Sequence, residues 1–335
     1  MSFVSCTDIT RATRNEVTQA VIRVVGLNAS MDRTQRMVSV HLGEVNRSTH
    51  TDVYAGGKGL GVARAIKTLG PDVVVYGFVG GITGRFLRQT CEALGIEDRQ
   101  TEIQGETRIC NILVDDSTSQ VTVLNEKGPW VSEAEVEKML LALLGDCEEG
   151  DIVVLSGSIP SGVPSSIYRQ MIEQLNPVGV KTIVDTSGIP LRESATAKPW
   201  IIKPNLSEFQ ELIGSTDIPS LKTVAEESRK FLNESTYAVI VTLGEQGVIT
   251  VLENECFLAK APKVPVVNPT ASGDTFLGAF VVDLLQSGDM KNSVRFACGC
   301  AAANVMNFSP GIPERFDIGP LVEQVTIEEL EVMGL

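Results

Sequence analysis

The feature that most constrains this chain is a series of short, continuous apolar runs, each followed by a turn and then a helical pattern. The runs are Val21-Ile22-Arg23-Val24-Val25-Gly26, Val73 to Val79, Ile152-Val153-Val154-Leu155, Thr182-Ile183-Val184-Asp185, Trp200-Ile201-Ile202 and Ala238 to Val241. They are rich in β-branched residues and do not alternate with polar ones. Strands of that kind are buried on both faces, as in a parallel sheet covered by helices. Parallel neighbours need crossover connections, and those crossovers are right-handed. The stretches between them carry a 3.6-residue period. Lys58 to Leu69 has Leu60, Val62, Ala63, Ile66 and Leu69 apolar and is stopped by Gly70-Pro71. Further helices are predicted near Pro164, over Ser207 to Ile213, in the 220s, and from Asp274 and Ser293, with a hairpin over Gly247 to Ala259. The pattern predicts an α/β fold, a doubly wound and mostly parallel sheet flanked by helices.

Two stretches break this rhythm. Residues 34–54 and about 107–125 hold short alternating segments such as Arg108-Ile109-Cys110-Asn111-Ile112-Leu113-Val114. Alternation indicates strands with one wet face, so these segments are expected to form a small antiparallel sheet projecting from the core as a lid. There is no internal repeat and no low-complexity linker, which favours one domain over residues 21–335 with an inserted lid. Residues 1–20 mix Asp, Arg, Thr, Asn and Glu without an apolar core, unlike a secretory signal, and read as an N-terminal extension.

Composition excludes several functions. The formal net charge is -14, which disfavours a nucleic-acid partner and means that an anionic ligand must be held by a few local cations. No run reaches the roughly 18 apolar residues of a membrane span. The seven cysteines are scattered and mostly set in apolar runs, with no paired Cys-x-x-Cys, so reduced thiols in a cytoplasmic protein are expected rather than a zinc site. His41 and His50 are the only histidines and lie in a polar stretch, leaving almost no material for a Ser-His-Asp mechanism.

The chemistry-bearing candidates gather at strand ends and helix starts. Ala271-Ser272-Gly273-Asp274 opens an apolar helix, where small residues let backbone N–H groups converge on an anion. Asp274 there is either a general base or a helix cap. Ala55-Gly56-Gly57-Lys58-Gly59 opens another helix and reads either as an anion-binding loop or as a tight turn with a solvated lysine; its spacing is not that of a Walker A loop. Lys203-Pro204-Asn205-Leu206-Ser207-Glu208 follows a buried strand, and Asn205 with Glu208 suits either water-mediated Mg²⁺ binding or N-capping. Ser158, in Ser156-Gly157-Ser158-Ile159-Pro160, and Thr242, Gly244 and Gly247 also end strands, where open α/β sheets bind ligands.

These motifs, in this order from about residue 21 to the C-terminus, resemble the PfkB-type carbohydrate kinases of the ribokinase-like fold. Ala55 to Arg64 is similar to the family's first signature, Asn268 to Phe280 to its second, and Asn205-Leu206-Ser207-Glu208 to its Asn-x-x-Glu magnesium motif. Leu27-Asn28-Ala29-Ser30-Met31-Asp32 and Gly105-Glu106-Thr107-Arg108 resemble the 1-phosphofructokinase/tagatose-6-phosphate kinase branch. The resemblance implies ATP and Mg²⁺ as cofactors and a phosphorylated ketohexose as acceptor. Asp274 would be the base beside the amides of Ala271, Ser272 and Gly273. Lys58, Arg108 and Ser158 would hold the substrate phosphate, and Asp32, Gly56 and Gly57 the sugar hydroxyls. Lys203, Asn205, Thr242, Gly244, Gly247 and Asn307 would line the nucleotide side, with Asn205 and Glu208 reaching the metal through water. It also implies a homodimer through the lid. Two positions depart from the branch: Gly61 stands where asparagine is usual, and Ala271 where glycine is usual, which predicts an altered hydroxyl contact and a reshaped loop. Two other readings are a kinase of an unphosphorylated sugar or nucleoside, and a catalytically silent sugar-phosphate-binding relative.

Overall fold

The computed structural model describes residues 20–313 and 316–330; the proposed extension at residues 1–20 lies, except for its last residue, outside them. The first half runs β1 (Ile22–Gly26), β2 (Ser30–Met37), β3 (His50–Gly56), α1 (Lys58–Thr68), β4 (Val73–Val79), α2 (Gly81–Leu94), β5 (Glu97–Asp98), β6 (Thr101–Glu102), β7 (Arg108–Asp115), β8 (Gln120–Asn125) and α3 (Glu133–Asp146). Next come β9 (Ile152–Ser156), α4 (Ile167–Leu175), β10 (Lys181–Asp185), α5 (Gly188–Thr196), β11 (Ile201–Ile202), α6 (Leu206–Leu212) and α7 (Leu221–Arg229). The chain continues through β12 (Ala238–Thr242), β13 (Val248–Val251), β14 (Cys256–Lys260), α8 (Ser272–Ser287), α9 (Met290–Val305), α10 (Gly319–Gln324) and β15 (Thr326–Glu329).

The main sheet has the order β15-β14-β13-β12-β11-β10-β9-β1-β4-β5, with β6 pairing farther along β4. Pairing is parallel from β12 to β5 and antiparallel from β12 to β15. The reason for continuous apolar strands is visible in β1: Val24 packs in one core layer and Val25 in the other, on opposite faces of the sheet. Adjacent residues of β9, Val153 and Val154, divide in the same way. From β1 the chain passes to β4 on one side, and later returns to place β9 on the other. The crevice between the carboxyl ends of β1 and β9 is therefore a topological switch point, the usual ligand position in such sheets.

The small sheet forms as expected from the alternating segments, in the order β3-β2-β7-β8. Both hairpin pairs are antiparallel, and the middle pair, β2 with β7, runs parallel. Asp32, Tyr54, Cys110 and Asn125 lie on one face of it, toward the main sheet's crevice. Among the described residues no helix is long and apolar enough to cross a membrane.

Candidate active site

The loop from β1 meets the start of α1 backbone to backbone: a Cβ on Gly59 would lie 2.6 Å from Gly26 Cα. Glycine at that position lets α1 sit with its first turn directly over the switch point, which brings Lys58 into the crevice. Lys58 Nζ donates to Asp185 Oδ1 at 2.8 Å and stands 3.5 Å from Glu208 Oε1. Burial alone would depress the Lys58 pKa, but Asp185, Glu208 and Asp274 override it and hold the ammonium charged, well above its ordinary value. Asp185, at the end of β10, is fully buried, and its Oδ1 also lies 3.1 Å from the buried Lys203 Nζ. Burial favours its protonated form, yet Lys203 and Lys58 keep its pKa below the usual value.

Arg108 enters from the start of β7. Its neighbours fix its path: Thr107 Oγ1 accepts from Gly80 N at 2.8 Å, and Glu106 caps α2 by accepting from Thr83 N at 2.6 Å. The guanidinium donates through Nε and Nη2 to Asn28 O at 3.1 and 2.9 Å and through Nη1 to Glu126 O at 3.1 Å. Asn28 Nδ2 donates to Ser158 Oγ at 3.1 Å, so one residue ties together Arg108 and Ser158.

Across the crevice, α8 begins at Ser272 after a turn held by two asparagines. Asn268 Oδ1 accepts from Thr270 N at 2.9 Å, and Asn304 Nδ2 donates to Thr270 O at 2.9 Å while its Oδ1 accepts from Thr275 Oγ1 at 3.1 Å. Ala271 is left-handed, with φ 60° and ψ 11°. Its backbone takes a conformation that glycine adopts freely and that costs a residue with a β-carbon on the order of 1–2 kcal/mol. Ser272 N is drawn back to Pro269 O at 3.3 Å, and the first intrahelical bond is Thr275 N to Ala271 O. The N–H groups of Gly273 and Asp274 thus point from a helix start with no acceptor in the described chain.

Asp274 is buried, and burial raises its pKa to about 7; Asp185 adds to the rise, while Lys58, Lys203 and Arg64 oppose it. A carboxyl raised toward neutral pH suits a general base. Asp32 on β2 is also raised by burial, against a 2.5 Å bond from Ser30 Oγ and the charges of Arg108 and Arg64.

Two adjoining cavities result. One lies at the switch point and is lined by Asn28, Lys58, Arg108, Ser158 and Thr186. The other reaches under the small sheet and is lined by Asp32, Gly61, Arg64, Ala271 and Asp274. They share Gly57, Lys58, Arg108 and Asn125. The six residues expected to hold the substrate all line one or both, Gly56 the second and Gly57 both. Thr242, Gly244, Gly247, Lys203, Asn205, Glu208 and Asn307 line neither. Asn205 and Thr242 are joined by a bridge between strand ends, and Asn307 N donates to Asn304 O. Gly247 has a reason of its own to be glycine, with φ 105° and the Ala259 carbonyl where a Cβ would be. Asn205 and Glu208 form a reciprocal capping box on α6, so the capping alternative holds in the structure. Asp185 and Arg64 were missed as site residues; the one available signal for Asp185 was an acidic residue ending a buried strand.

A doubly wound sheet with a helix start and a buried carboxyl group at its ligand crevice is the arrangement of the ribokinase-like fold. Residues 22–315 match the pfkB family of carbohydrate kinases, and the chain belongs to that family. It is a phosphotransferase with an alcohol group as acceptor. It is 30% identical over 315 residues to a tagatose-6-phosphate kinase of Staphylococcus epidermidis, covering 92% of this chain and 100% of that protein. It is also 30% identical over 307 residues to a 1-phosphofructokinase of Escherichia coli, covering 92% and 98%. Its fold resembles phosphofructokinase-2 from Escherichia coli in complex with fructose-6-phosphate, with a TM-score of 0.83, 24% identity and coverage of 91% and 98%.

Proposed function

We propose that this kinase transfers the γ-phosphoryl group of ATP to a hydroxyl of a phosphorylated ketohexose, giving a bisphosphate. The observation that carries this reading is the pair of joined cavities, with the buried Asp274 in one, Ser158 in the other, and Lys58 and Arg108 at the junction they share. A neutral acceptor would need no such pair of cations. The names of the relatives, tagatose-6-phosphate kinase and 1-phosphofructokinase, support the same acceptor class.

The acceptor oxygen forms the new P–O bond and gives its proton to Asp274. The bond from the γ-phosphorus to the bridging oxygen breaks, and its electron pair leaves on ADP. The Gly273 and Asp274 amides meet charge on the transferring group, while Lys58, Arg108 and Ser158 hold the distant phosphate. Gly56, Gly57 and Asp32 face the sugar hydroxyls, and Lys203, Asn205, Thr242, Gly244, Gly247 and Asn307 form the nucleotide side. Positioning and electrostatics supply most of the rate in such chemistry.

Asp185 Oδ2 is buried without a partner, and with Glu208 and Asn205 it offers an all-oxygen set that fits a hydrated Mg²⁺. Mg²⁺ bound there would neutralise charge on the nucleotide phosphates.

The small sheet acts in this reading as a lid. On its outer face Val53 and Leu124 lie in one cross-strand row with Arg33 and Asn111, and both are about half exposed, which supports a homodimer through that face. The buried free cysteines suit the cytoplasm. A coupled assay with fructose 1-phosphate, fructose 6-phosphate, tagatose 6-phosphate and the free sugars tests the acceptor. Turnover confined to phosphorylated ketohexoses supports the reading, and preference for a free sugar contradicts it.

A further inference from the structure

We propose that Arg64 is a further catalytic residue, whose guanidinium binds the phosphoryl group as it passes to the acceptor; the role rests on the phosphotransfer site described above. Arg64 follows Gly61 by three residues on α1, so the two share a helix face. It lines the same cavity as Asp32, Ala271 and Asp274, at the end away from Ser158. Its two hydrogen bonds go to backbone carbonyls, from Nη1 to Pro310 O at 3.4 Å and from Nη2 to Ala55 O. The Tyr54 ring orients it, 5.5 Å from the guanidinium carbon, and Tyr54 Oη is itself bonded to Thr34 Oγ1 at 2.9 Å.

Arg64 shares with Arg108 the lack of a counter-ion among the described residues, and differs from it in lining only the cavity that holds Asp274. Lys58 and Lys203 are each ion-paired to Asp185, but among the described residues no carboxylate comes within 4.0 Å of Arg64. A guanidinium has five N–H donors and recognises phosphate oxygens in pairs. Here two of its bonds fix the group, and Arg64 lines the cavity. An enclosed cation without a partner is costly, and the cost is recovered when an anion arrives. The reaction brings one there: the γ-phosphoryl group must reach the hydroxyl beside Asp274. Asp32 and Asp274 lie near enough to feel the Arg64 charge without pairing with it. Space for an anion between cation and base is what the transfer requires.

A tie between the Ala55 and Pro310 segments is the competing role, and calorimetric titration separates the two. ADP with aluminium fluoride, a mimic of the transferring phosphoryl group, is titrated against ADP alone, using wild type, Arg64→Lys and Arg64→Gln. We expect Arg64→Gln to weaken the fluoride complex by about 100-fold, as for loss of one anion-hole donor, with ADP affinity within threefold of wild type. Arg64→Lys, which keeps the charge and loses the fork, is expected to fall between them. Equal loss for ADP alone and with fluoride, or no loss with fluoride, overturns the assignment. Because the titration needs no acceptor, a wild type that turns over no ketohexose phosphate would overturn the acceptor assignment and leave this result to stand alone.

Discussion

The Asp274 carboxylate fills the space that a side chain at Gly61 would need: a Cβ built on Gly61 would lie 2.5 Å from Asp274 Oδ2. The carboxylate leans across the first turn of α1, and the glycine there is what admits it. The departure from asparagine at this position is thus coupled to where the base sits, and a loss of hydroxyl contact is only part of its meaning.

Gly61→Ala therefore separates stability from activity. Alanine in a helix favours folding by about 1 kcal/mol over glycine, which offsets part of the crowding. The displaced carboxylate loses alignment with the acceptor, so kcat should fall by about 10- to 100-fold, as for an ångström-scale misplacement. Steady-state kinetics beside a thermal melt checks this; unchanged kcat would show that Asp274 has another productive position.

Arg108→Ala should raise KM for the phosphosugar by about 10- to 100-fold, the worth of a charge-assisted hydrogen bond, with a smaller effect on kcat. The KM for ATP should stay within about twofold, because Arg108 lines the two joined cavities and touches none of the residues assigned to the nucleotide. Initial rates with each substrate varied in turn provide the comparison.

Asp185→Asn should be the most destabilising of the single changes. It leaves Lys58 and the buried Lys203 without their shared carboxylate, and breaking a buried pair costs roughly 3–5 kcal/mol. Denaturant unfolding measures the loss, and a change below about 1 kcal/mol would mean that Glu208 compensates.

The main sheet was legible because pattern and cause coincide: Val24 and Val25 are both apolar since each meets a helix layer. Lys58 and Asp274 were legible because glycines and small residues mark helix starts. Asp185 was not, since its partners lie 127 residues before it and 18 after it, and nothing local announces them. Helix α2 was missed for a similar reason, its cap being supplied by Glu106 from 23 residues beyond Thr83. The parallel pairing of β2 with β7 is likewise a tertiary choice, which strand patterning leaves open.

Asp274 also links activity to pH. With its pKa raised from 3.8 to about 7, kcat should climb as pH rises through about 7 and level off above it. Stability runs the other way. The folded state holds this proton more tightly than the unfolded chain, so stability is greatest below about pH 4 for this group and is lost as pH rises toward 7. Asp274→Asn should accordingly raise the melting temperature at pH 8 and show little gain near pH 4; thermal melts at the two pH values check it.

The central claim is that Asp274 takes the acceptor proton, and the turnover of Asp274→Asn with a ketohexose phosphate and ATP tests it most directly. The account predicts a kcat lower by about 100- to 10,000-fold, the typical worth of a general base, with an unchanged fold and near-normal nucleotide affinity. A kcat within a few-fold of wild type would contradict it.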